Sequence, residues 1–144
     1  MSETLITLLV LGIVTGGVTV YVLNYKPMRK SKVKDLYAEG LDLLITGRRK
    51  SAYKNFKEII QKDSDNIKAY LRLGQVLREG GNPPQALKIH RGLLYRRDLT
   101  HYEKIELHKN LTLDYYKIGN ISDAIEELHT LLKIEKNRDR KSVV

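Results

Sequence analysis

Cysteine is absent from this 144-residue chain. That removes disulfides, thiolate zinc sites and a cysteine nucleophile, and it suits a reducing compartment. Dense metal-ligand spacing is also missing. His90, His101, His108 and His129 form no HExxH pattern, and His101 and His108 lie two helical turns apart, so all four read as packed or surface residues. Paired acids such as Glu126-Glu127 fall beside lysines on a helix face and read as solvated charge. There is no phosphate-binding loop: Gly80-Gly81 separates two helical patterns, with no strand before it and no Gly-Lys-Ser/Thr after it. With no catalytic constellation, metal set or cofactor motif, the expectation is a protein that is not an enzyme and needs no cofactor.

What is present is ordinary in bulk. Apolar residues make up 42% and charged residues 30%, which are globular values and exclude a wholly disordered chain. The net charge of +9 admits three classes of partner: nucleic acid, an anionic membrane surface or an acidic protein. Where the charge sits decides among them.

Leu5 to Leu23 runs nineteen residues without a charge. As a helix rising 1.5 Å per residue it spans roughly 28 Å, close to the hydrocarbon thickness of a bilayer. A cleaved signal peptide fits poorly, because Glu3 and no basic residue precedes the run and no small-x-small site follows it. Lys26, Arg29, Lys30, Lys32 and Lys34 come next, with no acid before Asp35. These five charges suit anionic lipid headgroups, and by the positive-inside rule they keep the C-terminal side in the cytoplasm with the N-terminus outside. Tyr21 and Tyr25 fall at that interface. Gly12 and Gly16 form a small-xxx-small pair, the basis for expecting a weak homodimer through the anchor.

The remainder repeats. Gly40 and Gly74, Gly47 and Gly81, and Ala52 and Ala86 are each thirty-four residues apart. Gly81 to Gly119 and Ala86 to Ala124 are thirty-eight apart, so the third unit carries four extra residues. Each unit reads as a helix, a turn at Gly47-Arg48, Gly81-Asn82 or Gly119-Asn120, and a second helix. The helices are expected at 33–46, 49–62, 67–80, 83–96, 101–118 and 121–134. Leu36, Gly40, Leu43 and Leu44 keep i, i+3, i+4 spacing, as do Leu73, Val76 and Leu77. Ala52, Phe56 and Ile59 form the matching stripe of a second helix, repeated by Ala86, Ile89, Leu93 and by Ala124, Leu128, Leu131. Glycine and alanine mark the places where paired helices come close. Pro83-Pro84 opens one helix, and Ser122 before Asp123 and Glu126 marks the start of the last.

This is the tetratricopeptide signature. It implies an all-α chain: a transmembrane helix at 1–25, a basic segment at 26–34, and three repeats at 33–66, 67–100 and 101–134. Thr112 departs from the small residue of the first two units. Residues 135–144 read as a polar tail. The face lined by the first helix of each pair would carry Tyr37 and Leu41, then Leu71, Gln75 and Arg78, then Lys109, Leu113 and Tyr116. That mixture of polar, basic and aromatic groups suits an acidic peptide or a partner helix. Arg48-Arg49-Lys50 and Arg96-Arg97 lie at turns and lack interleaved aromatics, so they read as solvated or lipid-facing and not as a nucleic-acid patch.

The sequence resembles the lipopolysaccharide assembly protein B family of bacterial inner-membrane proteins. The residues that carry the resemblance are the anchor with its basic follow-on and Tyr37-x-x-Gly40-Leu41-Asp42-Leu43-Leu44. After them come Ala69-x-Leu71-x-Leu73-Gly74-x-x-x-Arg78, Ala86-Leu87-Lys88-Ile89-His90-x-x-Leu93, Leu99-Thr100 and Leu113-x-Tyr115. The resemblance implies an adaptor on the cytoplasmic face of the inner membrane, linking a membrane-bound protease to the enzyme that commits lipid A precursors. That family continues through further repeats to a rubredoxin-like domain built on four cysteines, and no cysteine occurs here. A general membrane-tethered docking module for chaperone or secretion machinery shares every other feature. A basic protein binding nucleic acid or lipid is the remaining alternative.

Overall fold

The computed structural model describes the backbone of residues 3–24 and 30–141 and the side chains of 3–21 and 32–136. Every regular element in these residues is an α-helix: α1 Glu3–Asn24, α2 Lys30–Ile45, α3 Arg49–Lys62, α4 Ile67–Glu79, α5 Pro83–Leu93, α6 His101–Ile118 and α7 Ile121–Lys141. The chain divides into two units, Met1–Lys34 and Asp35–Val144. In the first, α1 is long and apolar enough to cross a membrane, and its described side chains, those of residues 3–21, are exposed.

The second unit is a stack of antiparallel hairpins. α4 packs on α5, α6 on α7, and neighbouring hairpins join through α3 on α4, α5 on α6 and α4 on α6. Each hairpin turn carries a glycine in the left-handed region, Gly47, Gly81 and Gly119, at φ of 75°, 89° and 89°. A side chain would strain that backbone, and the turn closes through bonds such as the Asn120 amide to the Tyr115 carbonyl.

Glycine also sets how closely helices pair. A Cβ on Gly40 would stand 2.9 Å from the Phe56 ring, and one on Gly74 would collide with the ring of His90. Ala52, Phe56, Ile59 and Ala86 are fully buried beside these contacts. Farther along, Leu71, Leu93, Leu99, Leu107 and Leu111 form a core shared by the second and third hairpins, with Ile67, Tyr70 and Leu87 packed against it.

The largest departures from the expected elements are at the ends of α5 and α7, with α2 starting three residues early at Lys30. α5 ends at Leu93 and not at residue 96, because the Leu94 and Arg96 amides turn back to Arg91 and Leu93. α7 starts at Ile121 as expected, with Asn120 rather than Ser122 accepting the Asp123 amide. The same helix runs on to Lys141, through residues read as a polar tail. That segment contains neither glycine nor proline to stop it. Leu128 is 44% exposed although it aligns with Phe56. Thr112 stands where Gly40 and Gly74 stand, so the third hairpin lacks the recess that admits a ring.

Candidate functional site

The residues expected on one face of the stack divide into three groups. On α2, Tyr37 and Leu41 are half-buried, and the Tyr37 ring meets Phe56 edge-on at 5.7 Å. On α4, Leu71 belongs to the core at 4% exposure and Arg78 is only 9% exposed, so neither presents a free side chain. Gln75 is half-buried between Arg72, whose Nη1 donates to it at 2.7 Å, and Glu79, which accepts from it at 2.8 Å. On α6, Lys109, Leu113 and Tyr116 are exposed and spaced to share one helix face, with the Lys109 ammonium 3.6 Å from Glu106. Arg72 reaches the same Glu106 at 3.7 Å and ties α4 to α6 below that strip. The exposed part of the expected face is therefore Lys109, Leu113 and Tyr116, with Tyr37, Leu41 and Gln75 half-buried.

Arg78 is occupied by a buried polar network that the sequence reading did not identify. Its Nη1 donates to Asp114 Oδ1 at 2.8 Å and to Asn110 Oδ1 at 3.1 Å. Asp114 Oδ2 lies 2.5 Å from His90 Nδ1, and His90 Nε2 donates to the Leu71 carbonyl at 3.2 Å. His90 and Asp114 are fully buried. Three helices from two hairpins are thus pinned at one carboxylate, and among the described residues no buried side-chain nitrogen or oxygen lacks a partner. Two signals for it exist in the sequence. His90 lies thirty-four residues after the buried Phe56, and Asn110 and Asp114 interrupt the apolar stripe of Leu107 and Leu111.

At its centre His90 and Asp114 are shut off from solvent and no nucleophile stands beside a base, so the network's evident part is to join three helices. A second cross-link, His108 Nδ1 to Glu127 Oε2 at 2.6 Å, joins α6 to α7. Burial raises the Tyr115 phenol above its ordinary value; Arg91 opposes this and Asp123, Glu127 and Glu126 reinforce it, so the ring stays neutral. Among the described residues no three His, Asp or Glu side chains are grouped to hold a metal ion.

The membrane-surface residues are only partly in view. Lys26 and Arg29 lie outside the described residues, as does the Lys30 side chain, while Lys32 and Lys34 are exposed. Gly12 and Gly16 sit on α1 with nothing within 4 Å of the position a Cβ would take.

Three comparisons bear on this architecture. Residues 43–102 match the tetratricopeptide repeat family. Lipopolysaccharide assembly protein B of Escherichia coli K12, with its counterparts in strains CFT073 and O157:H7, is 26% identical over 99 residues. The match takes in 69% of this chain but 25% of the relatives, so the chain spans about a quarter of their length. The crystal structure of PcrH from Pseudomonas aeruginosa superposes with a TM-score of 0.50 at 16% identity, covering 78% of this chain and 98% of that one. That likeness is one of fold.

Proposed function

We propose, from the premise that the chain is a tetratricopeptide-repeat protein similar to lipopolysaccharide assembly protein B, that it is a membrane-anchored adaptor regulating lipopolysaccharide assembly. Tetratricopeptide stacks serve as scaffolds for protein partners and are in general not enzymes. In this reading α1 crosses the inner membrane with the N-terminus outside, and the stack holds its partners at the cytoplasmic face. The observation that carries it is the pairing of an uncharged span with a repeat stack that resembles that family. The stack is made rigid by the network around Asp114, so it can present an exposed strip such as Lys109, Leu113 and Tyr116 without rearranging. Preorganisation of that kind lowers the ordering cost of binding.

The partners proposed are a membrane-bound protease and the enzyme that commits lipid A precursors. Crosslinking in native membranes followed by pull-down of the full chain tests this. Recovery of both proteins is the expected result. Recovery of chaperone or secretion components instead would favour a general docking module, which the shared anchor and repeats equally support. Failure to recover any protein partner would overturn the scaffold reading.

A further inference from the structure

The cations at the tips of the first two hairpins are gathered by the fold around a recess. Arg49 and Lys50 open α3, and Lys54 and Lys57 follow at helical spacing on the same side. With Tyr53 they face the end of α4, where Leu77 forms part of the floor, and line an open recess of about 520 Å³. That volume lies within the roughly 300–1,000 Å³ of ordinary ligand clefts. A neighbouring recess of about 580 Å³ shares Arg49 and adds Lys117 from the end of α6.

None of Arg49, Lys50, Lys54, Lys57 or Lys117 takes part in the ion pairs formed among the described residues. Lys57 instead lies over the Tyr53 ring, 5.8 Å from its centroid. Glu79, the acid in the neighbouring recess, already accepts from Gln75. Ion pairs elsewhere in the stack include Arg78 with Asp114, Arg96 with Asp65 and Lys62 with Glu58. Four of these cations, Arg49, Lys50, Lys54 and Lys57, line a partly apolar hollow, which suits a group that carries both negative charge and an apolar side chain.

We propose that this recess docks an acidic amphipathic segment of a partner protein. Its carboxylates would meet Arg49, Lys50 and Lys54, and a large apolar side chain would enter against Tyr53 and Leu77. The surface is separate from the α6 strip of Lys109, Leu113 and Tyr116, so one stack has two places to hold chain. A flat bilayer offers headgroups to protruding cations but inserts nothing into a recess between helices. Nucleic acid would stack bases on a free aromatic face, and Lys57 lies over that of Tyr53.

The inference rests on the scaffold reading, and the experiment separates the two. The full chain in detergent is titrated with a short fluorescent peptide of mixed glutamate and leucine, against an all-glutamate peptide of equal length. Lys50→Glu with Lys54→Glu should weaken the mixed peptide about tenfold or more, with a loss of salt dependence. Tyr53→Ala should lower the preference for the mixed peptide over the all-glutamate one. Lys50 and Lys54 are exposed, so the circular dichroism melt of the double variant should match the parent. Equal binding of the mixed peptide by parent and double variant would overturn the proposal. So would equal binding of both peptides by the parent, or displacement of the mixed peptide by anionic vesicles or RNA but not by excess unlabelled peptide. If peptide docking fails while the membrane pull-down still returns partners, the scaffold reading stands and only this recess is excluded.

Discussion

His90 occupies a place where the preceding repeat has a phenylalanine, and the exchange changes what the position does. Phe56 fills the recess over Gly40 by packing alone; His90 fills the one over Gly74 and also holds Asp114 and the Leu71 carbonyl. The glycine pattern was legible in the sequence because close approach requires a missing Cβ. The network was not, since a repeat alignment marks a position as buried and says nothing of which distant carboxylate completes it. Arg78 illustrates the cost: its register placed it on a presenting face, and Asp114 drew it inside. Asp114→Ala should destabilise the chain by roughly 3–5 kcal/mol, because it leaves the Arg78 guanidinium buried without its counter-ion. Chemical unfolding of the detergent-solubilised protein measures this; a loss below about 1 kcal/mol would show that the network is dispensable. Two glycines give a sharper contrast. Gly74→Ala should destabilise by about 1–3 kcal/mol through collision with a ring fixed at both nitrogens. Gly92→Ala, in α5 with open space around it, should stabilise by about 0.5–1 kcal/mol, since alanine loses less backbone freedom on folding. Melting both variants side by side checks that one substitution has opposite signs at the two sites.

Helices were the most legible scale. α3 and α6 have the bounds expected from periodicity: the left-handed Gly47 precedes α3, and Thr100 and the left-handed Gly119 cap the two ends of α6. Thr100 and Glu103 close a capping box at the start of α6, with the Glu103 amide 3.2 Å from the Thr100 hydroxyl. α7 outruns its expected end because polar composition alone does not stop a helix, and helix propensity in that segment continues to Lys141. For α1 the prediction concerns its orientation as a proposed membrane span. The five basic residues that follow it predict that the N-terminus is outside and the repeats are in the cytoplasm. With no native cysteine, Ser2→Cys and Ser142→Cys give single reporters at opposite ends. An impermeant thiol reagent applied to intact cells should label position 2 and spare position 142. Labelling of 142 alone would reverse the topology.

At the scale of the whole molecule, the expected arrangement is an anchor that confines and a stack that selects, with partners gathered at one surface. Tethering replaces a bimolecular search by an effective concentration set by geometry, so weak contacts along the stack suffice if the partners are themselves in the membrane. Removing residues 1–25 should therefore abolish function while the circular dichroism of the repeats is retained. An unrelated anchor of the same topology should restore function, because confinement and not the sequence of α1 is what the adaptor requires. Restoration would also set aside specific pairing through Gly12 and Gly16, and failure to restore would bring that pairing forward. Under the proposed lipopolysaccharide role, depletion of the protein should slow turnover of the enzyme committing lipid A precursors, so that its level and that of lipopolysaccharide rise together. Pulse-chase labelling of the enzyme measures the first effect directly. Unchanged turnover would remove the lipopolysaccharide role and leave the tethered scaffold, because the scaffold rests on the uncharged span and the repeat stack, neither of which depends on the identity of the partner.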